Sequence, residues 1–494
     1  MICVSIGRTR HKMALAEHRA LADRGAQLVE LRVDWLSHTP DINRLLADRP
    51  TPVVITCRRG SDKGRWGGAE DQRQTILRSA IVGGADYVDI EDDIAKAIPR
   101  YGDTQRIISH HNFDETPDDL EEIYQGMCEL DPDIIKLVTM ANNPQDSVRL
   151  LKLVASAEIP TIGFCMGELG LASRLLCVKY GSPFTYATFS SERALAPGQL
   201  SFEEMNRTYH FDRVGSDTRI FGVLGDPVGH SLSPLIHNAA FVDCGIDALY
   251  LPFRVPSDGL EQTLEAFEWL GIDGYSVTIP HKESIAELAD TRDETVEHLG
   301  AANTLLRTPD GTWAAANTDL SAAIDSLRAA LEDGNSTKSL KGRKCLVLGA
   351  GGAARAVAGG LVAADAAVTV SGRTRQRASD LAAELGCQET GWENRGAQFA
   401  DILVNCTPVG MHPGVDESPF QPQWLGDNTL VFDTVYNPEN TLLIKQARER
   451  GCPTVSGIEM FVRQAALQFE RFTGQMAPLE VMREALRRGI SAVR

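Results

Sequence analysis

Apolar runs rich in valine and isoleucine recur at even intervals through the first 210 residues. They are ICVSI (2–6), LVELRVDW (28–35), PVVITCR (52–58), DYVDIE (86–91), RIISHH (106–111), DIIKLV (133–138), PTIGFCM (160–166) and FTYATF (184–189). Between them lie stretches with helical apolar spacing, such as HKMALAEHRALADRG before the second run. Continuous apolar runs are what a strand buried on both faces requires, and intervening helices are how parallel strands are joined. Eight such units in about 200 residues fit a closed (β/α)8 barrel. An open doubly wound sheet shares the same local rhythm and is the competing arrangement.

The sixth run holds a lysine, Lys136, between apolar neighbours. Either the side chain snorkels out at a strand end or its buried amine has a chemical use. In a barrel, chemistry gathers at the C-terminal ends of the strands. Those ends carry Glu30 and Arg32, Arg58, Glu91, His111 and Lys136, while Arg174 follows the seventh strand and Gln199 the eighth. Each alone reads as a surface ion pair; together, with three arginines, they read as an anion site. A lysine desolvated among arginines spends part of its time as the neutral amine, which condenses with a ketone to a Schiff base. His111, on the adjacent strand, is then placed to move protons.

From residue 217 the rhythm changes. RIFGVLGDPVGHSLSPLIHNAAF and GYSVTIPHKESIAEL each read as strand, turn and helix, with Lys282 just past the second strand. GAANTLL and WAAANTDLSAAIDSL supply Asn303 and Asp319 at further strand ends or helix starts. LEDGNSTKSLKGRK (331–344) is polar and contains glycine, as a linker does. KCLVLGAGGAARAVAGGLVAA follows: an apolar strand, a turn at Gly349, Ala350, Gly351, Gly352 and Ala353, then an alanine-rich helix. Such a turn aims a helix N-terminus at a pyrophosphate. The next strand lacks the acid that would take a ribose 2′-hydroxyl and offers Arg373, Thr374, Arg375 and Arg377 instead, which suits the 2′-phosphate of NADP. A solvated helix start is the bland reading of those arginines. ADILVNCTPVGMHP brings Asn405 and Thr407 to another strand end, and the last helical stretch carries Gln464 among apolar residues.

Five motifs, ELRVD, SHHNFDETP, DIIKLVTM, MGELGLASR and APGQL, resemble in order and spacing the type I 3-dehydroquinate dehydratases, over residues 1 to 212. The resemblance implies that Lys136 forms an imine with the substrate ketone and that His111, chosen over His110 by the following polar residue and Phe113, is the general acid/base. It implies Arg174 for the substrate carboxylate, and Glu30, Arg32, Arg58 and Gln199 for hydroxyls and ring. Two departures stand out. CRRGSDKGRWGGAED is longer than the family's usual Arg, spacer and Glu-Gly-Gly, with Trp66 before the glycines, so the glutamate's role passes to no assigned residue; Glu70 and Asp71 are nearby. Leu195 stands where a serine is usual.

Residues 217–494 resemble shikimate dehydrogenase through SLSP, VTIPHK, AANT, NTD, GAGGAARA and NCTPVGM. The resemblance implies a substrate domain over 217–318, completed by about 460–494, and a Rossmann NADP domain over 319–459. It implies Ser231, Ser233 and Tyr436 for the substrate carboxylate, Thr278, Asn303 and Gln464 for ring hydroxyls, and Lys282 with Asp319 at the carbonyl that accepts hydride. Thr407 and Gly457 join the cofactor set. Gly372 replaces an asparagine common in the family, and Glu459 a glycine. The pair resembles the bifunctional dehydratase–dehydrogenases of aromatic amino-acid biosynthesis.

Composition narrows the partners. The 494 residues carry a net charge of −18 and a pI of about 5.1, which argues against nucleic acid or an anionic membrane as partner and leaves small substrates. Ten cysteines without a C-x-x-C pair suggest reduced thiols, no metal site and a cytoplasmic enzyme, and the N-terminus runs directly into a strand. Two other readings compete: a dehydrogenase with a weakened barrel, given Trp66 and Leu195, and a quinate-sensing regulator. The second should have lost its lysines, but Lys136, Lys282 and Asp319 are all in place.

Overall fold

The computed structural model describes residues 1–193, 198–229, 231–333 and 339–492. Leu195, and with it part of the APGQL motif, lies outside the described residues. By packing the chain divides into two units. The first comprises 1–220, 227–230 and 247–272, and the second 221–226, 231–246 and 273–494.

The eight apolar runs of the first unit become strands β1 (Ile2–Ile6), β2 (Leu28–Arg32), β3 (Val53–Thr56), β4 (Tyr87–Glu91), β5 (Gln105–His111), β6 (Ile134–Met140), β7 (Thr161–Met166) and β8 (Thr185–Thr188). All pair in parallel in the order β7-β6-β5-β4-β3-β2-β1-β8, a near-closed barrel whose two ends are β7 and β8. Hydroxyls stitch that seam. Ser182 Oγ donates to Thr161 O at 2.8 Å and accepts from Gly163 N at 3.3 Å, Ser173 Oγ accepts from Cys165 N at 2.8 Å, and Thr185 Oγ1 donates to Arg174 O at 2.9 Å. Backbone groups buried at an unpaired strand edge would otherwise cost about 1–3 kcal/mol each. Strand pleat then decides which side chains enter the barrel. Glu91 lies opposite Ser109, and Ser109 opposite Lys136, so polar groups of β4, β5 and β6 fall in one register.

A strand β9 (Arg219–Gly225) follows, then β10 (Ala248–Arg254), which packing groups with the first unit. There the Tyr180 ring stacks on Trp269 at 4.7 Å, and Arg254 pairs with Glu168 at 2.7 Å.

The second unit holds two sheets. In the first, β9 is followed by β11 (Ile272–Val277), β13 (Thr304–Arg307), β14 (Trp313–Ala316) and β12 (Thr291–Arg292) in that spatial order. β13 and β14 form an antiparallel hairpin, and β13 also runs antiparallel to β11, an arrangement the apolar pattern did not announce. The second sheet is wholly parallel: β15 (Lys344–Leu348), β16 (Ala367–Gly372), β17 (Gln388–Gly391), β18 (Ile402–Asn405), β19 (Leu430–Asp433) and β20 (Thr454–Val455). Its order β17-β16-β15-β18-β19-β20 reverses direction at β15, the switch point of a dinucleotide fold. Val347, Val370, Val404 and Phe432 of this sheet are buried with Val357 and Leu361 of the helix Gly352–Ala363. Each such side chain contributes about 1.5–3 kcal/mol on burial. All ten cysteines are free thiols. No helix among the described residues is long and apolar enough to cross a membrane.

Candidate active sites

In the barrel, Lys136 is 5% exposed, and its amine donates to Asp89 Oδ2 at 2.9 Å and lies 4.3 Å from the centre of the Tyr186 ring. The sequence suggested an amine crowded by arginines; its nearest charge is instead this carboxylate. Asp89 was not among the predicted residues. It accepts from Arg58 Nη2 at 2.7 Å and from Ser109 Oγ at 2.7 Å on its other oxygen. Burial alone would raise its carboxyl, but Lys136, then Arg58 and His111, outweigh that and hold it well below the usual carboxylate range.

Arg58 also reaches His111 Nδ1 at 3.0 Å and lies 3.7 Å from Glu91. Burial first, then the facing cations Arg58 and Lys136, hold the histidine well below its ordinary value. Phe113 stacks on the same ring at 5.8 Å. His110, one residue earlier on β5, turns away and pairs with Asp92 at 2.7 Å. Glu91 is held by Arg73, a fully buried helix residue that sequence reasoning passed over, and Arg73 in turn binds Glu70 at 2.8 Å. Glu70 thus touches the cluster only through Arg73, and Asp71 offers its carbonyl to Thr75. Trp66 folds back to form a backbone bridge with Arg59, its main-chain N–H donating to Arg58 O at 3.1 Å and its indole N–H to Ala69 O at 3.2 Å.

Arg174 differs from the other barrel cations. Its side chain is buried over the Phe164 ring at 4.2 Å, yet among the described residues its Nε has no hydrogen-bond partner and one Nη reaches only a backbone carbonyl, Tyr186 O, at 3.4 Å. Burial lowers this guanidinium to about 10. A buried cation without a counter-ion is costly, and an arriving carboxylate is the group that would relieve it. Glu30 accepts the hydroxyls of Ser5 at 2.5 Å and Thr56 at 2.7 Å, Arg32 is clamped in two bonds to Asp34, and Gln199 lies half-buried beyond β8.

In the second unit Lys282 Nζ meets Asp319 Oδ2 at 2.5 Å. Lys282 opens the helix after β11 and Asp319 opens the helix after β14. Asn303 Nδ2 donates to Asp319 Oδ1 at 2.8 Å and to Thr318 Oγ1 at 2.9 Å, and lies 3.5 Å from Gln464 Oε1. Four predicted residues therefore form one contiguous polar cluster. Gln468, missed in the sequence because it follows Gln464 by one helical turn inside an apolar face, anchors this cluster through Asn303 O at 2.9 Å and Ser276 Oγ at 2.7 Å. Ser231 Oγ accepts from Ser233 N at 3.3 Å, Thr278 sits half-buried after β11, and Tyr436 packs on Phe461 at 4.3 Å, burial raising its phenol.

At the dinucleotide turn, Gly349 has a φ of +122°, and a Cβ there would fall 2.9 Å from Cys406 O. Gly351 and Gly352 meet no backbone, so the start of the twelve-residue helix Gly352–Ala363 stays open to a phosphate, flanked by Ala350 and Ala353. Beyond β16, Arg373, Thr374 and Arg377 are exposed, and among the described residues Arg373 and Arg377 take part in no ion pair, whereas Arg375 meets Glu389. Thr407 Oγ1 donates to Asn405 Oδ1 at 2.7 Å, and Asn405 Nδ2 to buried Asp433 at 2.9 Å. Gly457 admits no side chain: a Cβ would lie 2.4 Å from Val435 O. This donor set fits NADP.

The barrel and the two-sheet unit define an enzyme with two separate sites, one built around a lysine–carboxylate pair and one beside a dinucleotide fold. Family models match accordingly: type I 3-dehydroquinase over residues 2–216, the shikimate dehydrogenase substrate-binding domain over 223–305, shikimate/quinate 5-dehydrogenase over 332–407 and the shikimate 5′-dehydrogenase C-terminal domain over 457–487. The bifunctional 3-dehydroquinate dehydratase/shikimate dehydrogenase of Arabidopsis thaliana, a chloroplastic protein, is 37% identical over 97% of this chain and 83% of its own. An NADP(+) shikimate dehydrogenase of Methanothermobacter thermautotrophicus is 41% identical over 55% of this chain and 96% of its own. A Thermus thermophilus shikimate 5-dehydrogenase, solved with NADP(H) and shikimate, superposes with a TM-score of 0.50 at 35% identity, covering 55% of this chain and 99% of that one. The chain belongs to the bifunctional 3-dehydroquinate dehydratase/shikimate dehydrogenases of the shikimate pathway. It combines a lyase with an NADP-dependent oxidoreductase.

Proposed function

We propose that Lys136 of the barrel attacks the ketone of 3-dehydroquinate to form an imine, which acidifies the neighbouring carbon so that water is lost and 3-dehydroshikimate leaves. In this reading Asp89 accepts hydrogen bonds from the lysine nitrogen throughout, and His111 moves protons. Arg174 binds the ring carboxylate, with Glu30, Arg32, Arg58 and Gln199 around the hydroxyls. The buried guanidinium of Arg174, which meets no carboxylate among the described residues, carries the reading.

In the second unit, Ser231, Ser233 and Tyr436 hold the carboxylate of 3-dehydroshikimate, and Thr278, Asn303 and Gln464 its hydroxyls. NADPH, when bound, supplies the hydride. Gly349, Ala350, Gly351, Gly352 and Ala353 cradle its pyrophosphate, Arg373, Thr374 and Arg377 its 2′-phosphate, with Thr407 and Gly457 toward the nicotinamide. Lys282, held by Asp319, gives a proton to the oxygen that gains charge. The domain limits follow as 1–212, 217–318 with about 460–494, and 319–459. The acidic surface and free thiols favour a cytoplasmic enzyme without a nucleic-acid partner.

The test mixes purified protein with 3-dehydroquinate and NADPH alone and follows NADPH oxidation. Oxidation is expected, and is expected to vanish in both Lys136→Ala and Lys282→Ala. If only added 3-dehydroshikimate is reduced, the barrel is not a working dehydratase.

A further inference from the structure

Arg58 Nη1 lies 3.0 Å from His111 Nδ1. A guanidinium only donates, so Nδ1 must present its lone pair, and the proton of the neutral ring sits on Nε2. A carboxylate at Nδ1 would select the opposite tautomer. None is there among the described residues: Glu70 is spent on Arg73, and Asp89 and Glu91 face Arg58. The charged and titratable groups around the ring are Arg58 just past β3, Asp89 from β4, His110 on its own strand and Lys136 from β6, with Phe113 stacked on the ring. Three of those neighbours, Arg58, Lys136 and Asp89, form one hydrogen-bonded chain ending at Nδ1.

We propose that Arg58 is a positioning residue that fixes His111 as the Nε2–H tautomer, so that the histidine begins the reaction as a neutral hydrogen-bond donor to the ketone oxygen. The proposal rests on the assignment of Lys136 and His111 to the dehydration. Lys136 first yields its ammonium proton to solvent; as the resulting amine forms its bond to the carbonyl carbon, the C=O π pair moves onto oxygen, where Nε2–H lies against the developing charge. The proton shed by the lysine nitrogen passes to that oxygen, giving the carbinolamine and leaving His111 unchanged. Loss of the carbinolamine hydroxyl as water, which leaves the iminium, takes the Nε2 proton, while Nδ1, released by Arg58, takes one from solvent. The ring is then neutral with its lone pair on Nε2, ready for the later removal of a carbon-bound proton.

The experiment uses the full chain labelled with 15N-histidine, His111 being assigned by the signals lost in His111→Gln. One pyrrole-type nitrogen at Nε2 and one pyridine-type at Nδ1 are expected from about pH 5 to 9. A protonated Nδ1, or an averaged pair, overturns the proposal, and this holds without any Arg58 variant. In Arg58→Gln, the acid limb of the dehydratase kcat/KM profile should move up toward about 6.5, with kcat down about tenfold or more. An unmoved limb marks a merely structural arginine and also overturns it. Borohydride with 3-dehydroquinate separates the two levels. No adduct on Lys136 in the wild type sinks the underlying assignment, whereas an adduct with the wrong tautomer sinks this proposal alone.

Discussion

Lys136 Nζ and Asp89 Oδ2 lie 2.9 Å apart inside the barrel, and the same carboxylate holds Arg58 at 2.7 Å. One acid therefore serves two buried cations. Asp89→Asn should lower dehydratase turnover about 10²–10⁴-fold. Leaving those cations unbalanced should also cost about 3–5 kcal/mol of stability. The pH dependence has a definite sign. A carboxyl held below its unfolded value stabilises the fold above that value, about 3.9, and the stabilisation is lost as acid is added beyond it. Thermal melts of the wild type should therefore fall steeply below about pH 4, and those of Asp89→Asn should start lower and fall less.

Arg174 should behave as a residue kept for binding at the expense of stability. Arg174→Met removes a buried guanidinium that lacks a counter-ion, so its melting temperature should match or exceed the wild type's. The same change should raise the KM for 3-dehydroquinate about 10- to 150-fold, the worth of a charged hydrogen bond at 1.5–3 kcal/mol. Steady-state kinetics and melts on one preparation check both. A KM within twofold of the wild type would falsify the carboxylate assignment.

The exposed arginines after β16 predict a cofactor preference. Replacing Arg373 or Arg377 with serine should raise the KM for NADPH about tenfold each and leave the weaker use of NADH unchanged. Equal losses with both cofactors would mean that the arginines support the turn and do not read the 2′-phosphate.

Asp433, wholly buried against Asn405, Thr441 and the N–H of Val435, is raised to about 6 by burial, which those three donors only partly offset. A carboxyl raised on folding stabilises below its unfolded value and loses that contribution as the pH rises through about 6. The loss amounts to about 3 kcal/mol. Asp433→Asn should therefore melt above the wild type at about pH 8, the gap closing below about pH 4. Calorimetry across that range tests it, and a gap of constant size would refute the protonation account.

The strands of the barrel were legible because burial on both faces forces long apolar runs, and each run coincides with one strand. The antiparallel β13–β14 hairpin was not, since TLLR and WAAA are too short to show a period. Among site residues, His111 was set apart from His110 by the polar residue and Phe113 that follow it, and the strand pleat sends the two histidines to opposite sides of β5. The same rule offered a sign of Asp89. It stands two positions before Glu91 in DYVDIE, two acids on one face of an apolar strand. Arg73 gave no such sign, because an arginine on a polar helix looks solvated until the fold turns it inward.

Among the described residues Arg58, Arg73 and Lys136 each lie against a buried carboxylate, Asp89 or Glu91, whereas Arg174 meets none. A monocarboxylate ring supplies that missing partner on entry, and loss of water changes neither its charge nor the iminium's. Substrate and product thus face the same electrostatic hold, and shape alone is left to tell the barrel when to let go.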